Sequence, residues 1–375
     1  VLLMARRATV LRLPMAGPGD VSAIAALIAS GALAPGAIRA ILGKTEGNGC
    51  VNDFTRGYAV QSLRALLAPH LGPGALDALP MVMSGGTEGG LSPHWIVLAE
   101  EEDAAPAPAP APTSAAAAAP ALAFASAVTR PLRPSEIGRR AQADLVRAAV
   151  HEAMDRAWIA SGDDVHYVQI KCPLLTADRI AAAGGDVATT STLKSMGLSR
   201  GACALGVALA LGEIADLRDD DIGRDLSLWS SVASCSSGIE LLACEVVVMG
   251  LSPLWSGPLR IAHDVMQDAI DAPAIARLLE AAAPGAGLHG ARGAVIAALA
   301  KAEASASGRI RGARHTMLED GDISSTRHAR GFVGGMMAGL IGHTELFVSG
   351  GAEHQGPDGG GPVAIIYAAE KGQDA

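Results

Sequence analysis

Three lysines, three arginines and three serines recur along this 375-residue chain in one order, and together they could turn a hydroxyl into a nucleophile for a carbonyl. The lysines are Lys44, Lys171 and Lys301, the arginines Arg56, Arg200 and Arg327, and the serines Ser84, Ser236 and Ser349. Each serine opens a phrase of the form Ser-small-Gly-x-Glu. The three copies are Ser84-Gly85-Gly86-Thr87-Glu88, Ser236-Ser237-Gly238-Ile239-Glu240 and Ser349-Gly350-Gly351-Ala352-Glu353. Serine is a weak nucleophile until a base takes its proton. Histidine is the usual base, yet no histidine recurs with the serines, whereas lysine does. A lysine crowded by other cations and partly desolvated is pushed toward its neutral amine. Such an amine can accept the serine proton, as in Ser-Lys variants of the hydrolytic triad. The arginines, with backbone N–H groups at Gly85, Ser237 and Gly350, remain as donors for an oxygen that gains charge.

Two registers are open at this level. Arg330-Gly331 resembles Arg56-Gly57 and Arg200-Gly201, but Thr326-Arg327 matches Thr55-Arg56 and Ser199-Arg200 and favours Arg327. Ser234 competes with Ser236, which alignment on Gly-x-Glu favours.

The elements that must carry these residues repeat as well. In the first stretch, strands are expected over 8–13, 38–42, 79–83 and 95–98, with helices over 21–30 and 58–67. In the second, strands are expected over 122–128, 165–170, 230–234 and 244–249, with helices over 134–158 and 199–214. In the third, strands are expected over 259–262, 294–300, 345–348 and 363–367, with helices over 272–282 and 326–340. Each stretch reads strand, helix, strand, Lys, loop, Arg, helix, strand, Ser, strand. The phrases lie whole domains apart, far beyond a solenoid period. The fold class is therefore α+β, with three homologous units: 1–103, 122–252 and 253–375. Residues 104–121, rich in Ala and Pro, read as an extended linker with nothing to bury.

Bulk properties narrow the function. Half of the residues are apolar but only 3% are aromatic, so a large core is available and packs closely. A net charge of −9 without a dense basic run argues against a nucleic-acid surface. The most apolar stretch, 202–211, is too short to span a bilayer and reads as a buried helix. The opening Val1-Leu2-Leu3-Met4-Ala5-Arg6-Arg7 does not read as a signal peptide, and Met4 is a candidate natural start. Five cysteines without paired or CxxC spacing indicate a reducing cytoplasm. Gly184-Gly185-Asp186 and Gly285-Ala286-Gly287 lack the Lys-Ser/Thr ending of a phosphate loop. His263, His315, His328, His343 and His354 form no repeated ligand set for a catalytic zinc.

Longer phrases make the pattern specific. Gly43-Lys44-Thr45-Glu46-Gly47-Asn48-Gly49, Ser92-Pro93-His94, Ser199-Arg200-Gly201 and Glu353-His354-Gln355-Gly356-Pro357 resemble the cyanuric acid hydrolase/barbiturase family, over nearly the whole chain outside the linker. The resemblance implies three homologous domains around a pseudo-threefold axis, with an active site at their junction. It implies hydrolytic opening of cyanuric acid to carboxybiuret, then biuret and CO2. The alternatives are a barbiturase opening barbituric acid to ureidomalonate, or a non-catalytic protein binding cyclic imides. It further implies Ser236 as nucleophile and Lys171 as base, with the other serines and lysines holding the ring. No cofactor is implied for the chemistry. A structural Mg2+ or Ca2+ is implied at Glu303, Ala352, Gln355, Pro357 and Gly360, as is a homotetramer.

Overall fold

The computed structural model describes residues 4–106, 119–318 and 322–369. The first repeat comprises β1 (Met4–Pro14), α1 (Ser22–Ala29), β2 (Ile38–Thr45), α2 (Phe54–Leu67), α3 (Pro73–Asp77), β3 (Met81–Gly85) and β4 (His94–Pro106). The second comprises β5 (Ala121–Val128), α4 (Arg140–Ala157), β6 (Val165–Pro173), α5 (Ala177–Ala182), α6 (Thr192–Leu211), β7 (Ala233–Gly238) and β8 (Glu245–Ser252). A short β9 (Trp255–Ser256) precedes the third, which comprises β10 (Leu259–Met266), α7 (Ala272–Ala282), α8 (Gly287–Ala294), β11 (Val295–Ala302), α9 (Ser325–Ile341), β14 (Phe347–Gly350) and β15 (Gly361–Ala368), with the small hairpin β12 (Arg309–Ile310) and β13 (Ala313–Arg314) inserted.

The three sheets share one topology: β3-β2-β4-β1, β7-β6-β8-β5 and β14-β11-β15-β10. In each, the first-named edge strand runs parallel to its neighbour, and the other two pairs are antiparallel. A bulge recurs near the start of the second strand, at Ile38/Ala40, Val165/Tyr167 and Val295/Ala297. Equivalent distortions at equivalent places mark three copies of one unit around a pseudo-threefold axis. β9 departs from the scheme, pairing with β1 at Arg6 and Arg7 and so tying the start of the third repeat to the first sheet.

Side chains alternate across a strand, so each sheet has two faces with different partners. Ala40, Leu42 and Val82 of the first sheet join Leu299 and Phe347 of the third in one core shared with the second sheet. The intervening Ile41, Met83 and Trp95 pack on helices of their own repeat. Ala298, Ala300 and Val348 do the same under α7 and α9. The sheets thus turn one face toward the axis and wear their helices outside.

Helix boundaries depart from the sequence reading where a cap decides them. α2 starts at Phe54 rather than 58, because the Asp53 carboxylate accepts from Thr55 N at 3.0 Å. α6 starts at Thr192 rather than 199, capped by Ser191, so Arg200 lies in mid-helix and not at a helix start. The expected helix over 134–158 starts only at Arg140, since Gly138 at φ +76° interrupts it. β4 runs to Pro106, pairing it with Met4, so the first residues of the segment read as linker are strand. Residues 107–118 of that segment lie outside the described residues.

Glycines in α6 are explained by close packing. A Cβ on Gly206 would lie 2.6 Å from Ala143 O and 2.9 Å from Val146 Cβ of α4. Gly206→Val is expected to lower stability by about 2 kcal/mol through overpacking. Chemical denaturation, compared with a Gly→Ala change at exposed Gly335, is the measurement.

Candidate active site

The alternation that builds the shared core also builds the site. Lys44 follows Leu42 by two residues, Ser84 follows Val82, Lys301 follows Leu299 and Ser349 follows Phe347, so all four face the axis. In the parallel ladders Lys44 is opposite Ser84, Lys171 opposite Ser236 and Lys301 opposite Ser349. The same register three times brings the serines together: Ser349 Oγ is 2.9 Å from Ser236 Oγ and 3.2 Å from Ser84 Oγ. They border a small cavity lined also by Gly85, Ser237, Gly350, Arg56, Arg200 and Arg330. Ser234 is two strand residues deeper, opposite Gln169, and its buried Oγ has no partner among the described residues.

All three lysines are buried. Lys44 Nζ donates to Ser84 Oγ at 3.1 Å, and Lys301 Nζ to Ser349 Oγ at 3.3 Å and Gly350 O at 3.0 Å. Lys301 also reaches Cys235 O of the second repeat at 2.8 Å, and Lys171 reaches Met83 O of the first at 2.7 Å. Lys171 Nζ turns to Met83 O, to Ser237 O at 3.4 Å and to the Glu240 carboxylate at 3.0 Å, rather than to Ser236 Oγ. Burial is the main force pushing each amine toward its neutral form, more than the crowding by cations that the sequence suggested. Lys44 is held well below the usual lysine range by burial and then Arg330. Lys301 is pushed down to about 7 by burial and then Arg200. Lys171 is lowered by burial, with Glu240 opposing and Arg56 assisting.

Of the two arginine registers, Arg330 is the one at the cavity. It is buried on α9, whereas Arg327 lies outside the lining with its Nε 3.1 Å from Glu88. The two share one helix face, three residues apart, and both reach Glu88; Arg330 lies a turn further along α9, where the helix passes the cavity. The shared Arg-Gly step, not the preceding Thr/Ser, carried the register.

The glutamates closing each phrase were not singled out from sequence, although their recurrence was the available signal. They join the repeats head to tail. Glu88 of the first repeat is forked by Arg330 of the third, at 2.6 and 2.8 Å. Glu353 of the third is forked by Arg200 of the second, at 2.5 and 2.8 Å. Glu240 of the second lies 3.7 Å from Arg56 Nε of the first, closing the ring. Burial works against the Glu353 charge, yet Arg200 holds its pKa down to about 2.

Of the five residues expected to hold a cation, Glu303, Ala352 and Pro357 line a groove of the third repeat that also meets Leu226 of the second. Glu303 accepts from Ala304 N at 3.0 Å and from Ala352 N at 3.1 Å, and burial, then Glu353, raises its pKa. Gln355 Oε1 accepts from Cys235 N at 2.7 Å, while Ala352 O accepts from Gln355 N and Pro357 O from Gly360 N, both at 2.9 Å. One half-buried carboxylate without a cationic fork among the described residues, beside a carbonyl-rich turn, fits a hard cation with oxygen ligands. Among the described residues no three His, Cys, Asp or Glu side chains converge as a metal group.

Comparison with known proteins agrees with this architecture. Residues 9–368 match the family model described as amidohydrolase ring-opening protein. The cyanuric acid amidohydrolase of Azorhizobium caulinodans is 57% identical over 370 residues, covering 97% of this chain and 99% of that protein. The cyanuric acid amidohydrolase of a Methylobacterium species is 56% identical, covering 97% of each. A crystal structure of the cyanuric acid hydrolase from A. caulinodans superposes with a TM-score of 0.89 at 56% identity, covering 98% of this chain and all of that one. Three sheets of one topology, closed into a ring over a Ser/Lys/Arg cavity, are how this chain is built, and it belongs to the ring-opening amidohydrolase family.

Proposed function

We propose that the chain hydrolyses cyanuric acid to carboxybiuret, which loses CO2 to give biuret. One observation carries this reading: three serines, each opposite a buried lysine in identical register, share a cavity with three arginines. A ring with three equivalent carbonyls and three N–H groups matches that arrangement contact for contact.

In this reading Ser236 Oγ attacks a ring carbonyl and Lys171 Nζ takes the hydroxyl proton. The ring C–N bond then breaks, and the Lys171 ammonium returns the proton to the departing nitrogen. Water, deprotonated by the same amine, releases the product from the serine ester. Lys44, Ser84, Lys301 and Ser349 hold the other two edges of the ring. Arg56, Arg200 and Arg330, with backbone N–H groups at Gly85, Ser237 and Gly350, receive the charge gathering on the carbonyl oxygens. Arg327 acts outside the cavity by supporting Glu88.

The same reading divides the chain near 1–103, 122–252 and 253–375, with β4 of the first unit reaching Pro106 and β5 of the second beginning at Ala121, in a cytoplasmic homotetramer. Exposed Phe54, Leu193 and Phe332 offer apolar surface for such assembly. Among the described residues no helix is long and apolar enough to cross a membrane. A Mg2+ or Ca2+ ion at Glu303, Ala352, Gln355, Pro357 and Gly360 would neutralise the half-buried carboxylate and fix the turn behind Ser349.

Purified protein is expected to form biuret from cyanuric acid and to open barbituric acid far more slowly when both are assayed side by side. Lys171→Ala and Ser236→Ala should each lower kcat by about 10^3-fold or more. Full turnover by Lys171→Ala would remove the proposed base, and the reverse substrate preference would make the protein a barbiturase. Because a base must be neutral to act, kcat/KM should rise with pH through a limb below the ordinary lysine pKa of about 10.4.

The arginines give a second comparison. Arg330→Ala removes a cavity donor and should lower kcat/KM by about 100-fold or more, and Arg327→Ala by less than about fivefold. Steady-state kinetics with equal losses for both would contradict the assignment. Native mass spectrometry is expected to find four chains and one divalent ion per chain, with Glu303→Gln losing the ion. A bare monomer would reject both the assembly and the cation.

A further inference from the structure

Among the three repeats, the second breaks the equivalence at the last residue of its phrase. Glu88 and Glu353 each give both oxygens to a guanidinium fork. Glu240 does not, because its arginine is engaged elsewhere. Arg56 donates to Cys50 O at 2.8 Å, Ser237 O at 3.1 Å and Gly49 O at 3.5 Å, and its buried Nε makes no hydrogen bond, lying 3.7 Å from Glu240 and 4.0 Å from Asp53. The freed carboxylate lies 3.0 Å from Lys171 Nζ, outside good hydrogen-bond alignment.

The backbone records the same difference independently. Gly86 and Gly351 have φ of +104° and +77°, and a Cβ on either would lie 2.5 Å from the guanidinium of Arg330 or Arg200. Those glycines make room for an arginine. Gly238 is not in that left-handed region, and a Cβ there would overlap the Glu240 carboxylate itself. Here the glycine lets the glutamate fold back over its own turn toward the lysine.

We infer that Glu240 is a positioning residue that makes Lys171–Ser236 chemically distinct from the two pairs that only hold the ring. The inference rests on the proposed roles of Lys171 and Ser236. Glu240 holds the Lys171 amine toward Met83 O and away from Ser236. When Lys171 takes the serine proton, a new N–H bond forms, and Glu240, ionised throughout, stabilises the ammonium beside it. The proton leaves with the ring nitrogen when the C–N bond breaks, so Glu240 gains and loses none. Arg56 from α2, Glu245 from β8 and Cys172 on Lys171's own strand are the other ionisable neighbours of this amine. Their influence is common to wild type and variant.

The test compares Glu240→Gln with Glu88→Gln and Glu353→Gln, following biuret formation from cyanuric acid across pH. A carboxylate raises a neighbouring lysine's pKa, so removing it lets Lys171 become neutral at lower pH. Glu240→Gln should move the acid limb of kcat/KM down by about one pH unit. It should lower kcat about tenfold or more with KM within about threefold, since the ammonium loses its partner during attack. The other two variants should raise KM and leave the limb in place, because they release an arginine. If Glu240→Gln raises KM without moving the limb, as they do, the inference is overturned. Should Glu240→Gln melt early by circular dichroism, Glu240→Asp is read against Glu88→Asp. A limb that moves only in the former supports the role, and an unmoved limb overturns it. Lys171→Ala separates the levels. If it retains turnover, the dyad itself is wrong, whereas a dead Lys171→Ala beside an unshifted Glu240→Gln rejects only this inference.

Discussion

The structure depends on one ladder pairing, a lysine directly opposite a serine on neighbouring parallel strands, both turned toward the axis. A slip of one residue would send either side chain into the helical layer, where Ile41, Met83, Ala300 and Val348 pack. The register is therefore held by the core on both sides of the sheet. The same apolar alternation that drives the repeats together carries the amines and hydroxyls to a shared point.

Placing three amines in a dry core is costly, and the cost explains their state. Burial leads the causes that lower all three lysines, and the arginines add to it. Arg200 and Arg330 can sit in this interior because a glutamate from the next repeat forks each of them, whereas Arg56 is met chiefly by backbone carbonyls. That head-to-tail ring makes the cavity a property of the closed trimer of units, since no single repeat contains both halves of a pair. It also explains why each phrase ends in glutamate at a fixed distance from its serine. The serine faces the cavity while the glutamate reaches around the turn to the neighbouring helix.

Threefold repetition is well suited to holding a symmetric ring, but chemistry at one carbonyl requires a departure. The departures gather in the second repeat. Ser237 replaces the glycine found at 85 and 350, and the inner face beneath the dyad carries Tyr167, Gln169 and Ser234 where the other sheets have apolar residues. Arg56 is drawn to loop carbonyls, and Glu240 is released toward Lys171.

Much of this was legible in the chain itself. Period-two apolar runs, turn residues and the recurring Lys, Arg and Ser types gave the three α+β repeats and most of the cavity lining, because local patterning and strand register are written in adjacent residues. Ser236 over Ser234 followed from the Gly-x-Glu alignment, and the fold places the former at the cavity and the latter a strand step deeper. Arg327 against Arg330 could not be decided locally, since both lie on one face of one helix and only its docking against the axis selects which turn meets the cavity. Likewise Ser191 moved the start of α6 away from Ser199-Arg200, as a cap outweighs a motif in setting a helix end. The partners of Glu88, Glu240 and Glu353 lie in other repeats, and the ring they form exists only once the units close. The sequence by itself determined which groups recur and which strand face they take. Only the tertiary structure decided which arginine faces the cavity and which glutamate is free, because those depend on contacts between segments far apart in the chain.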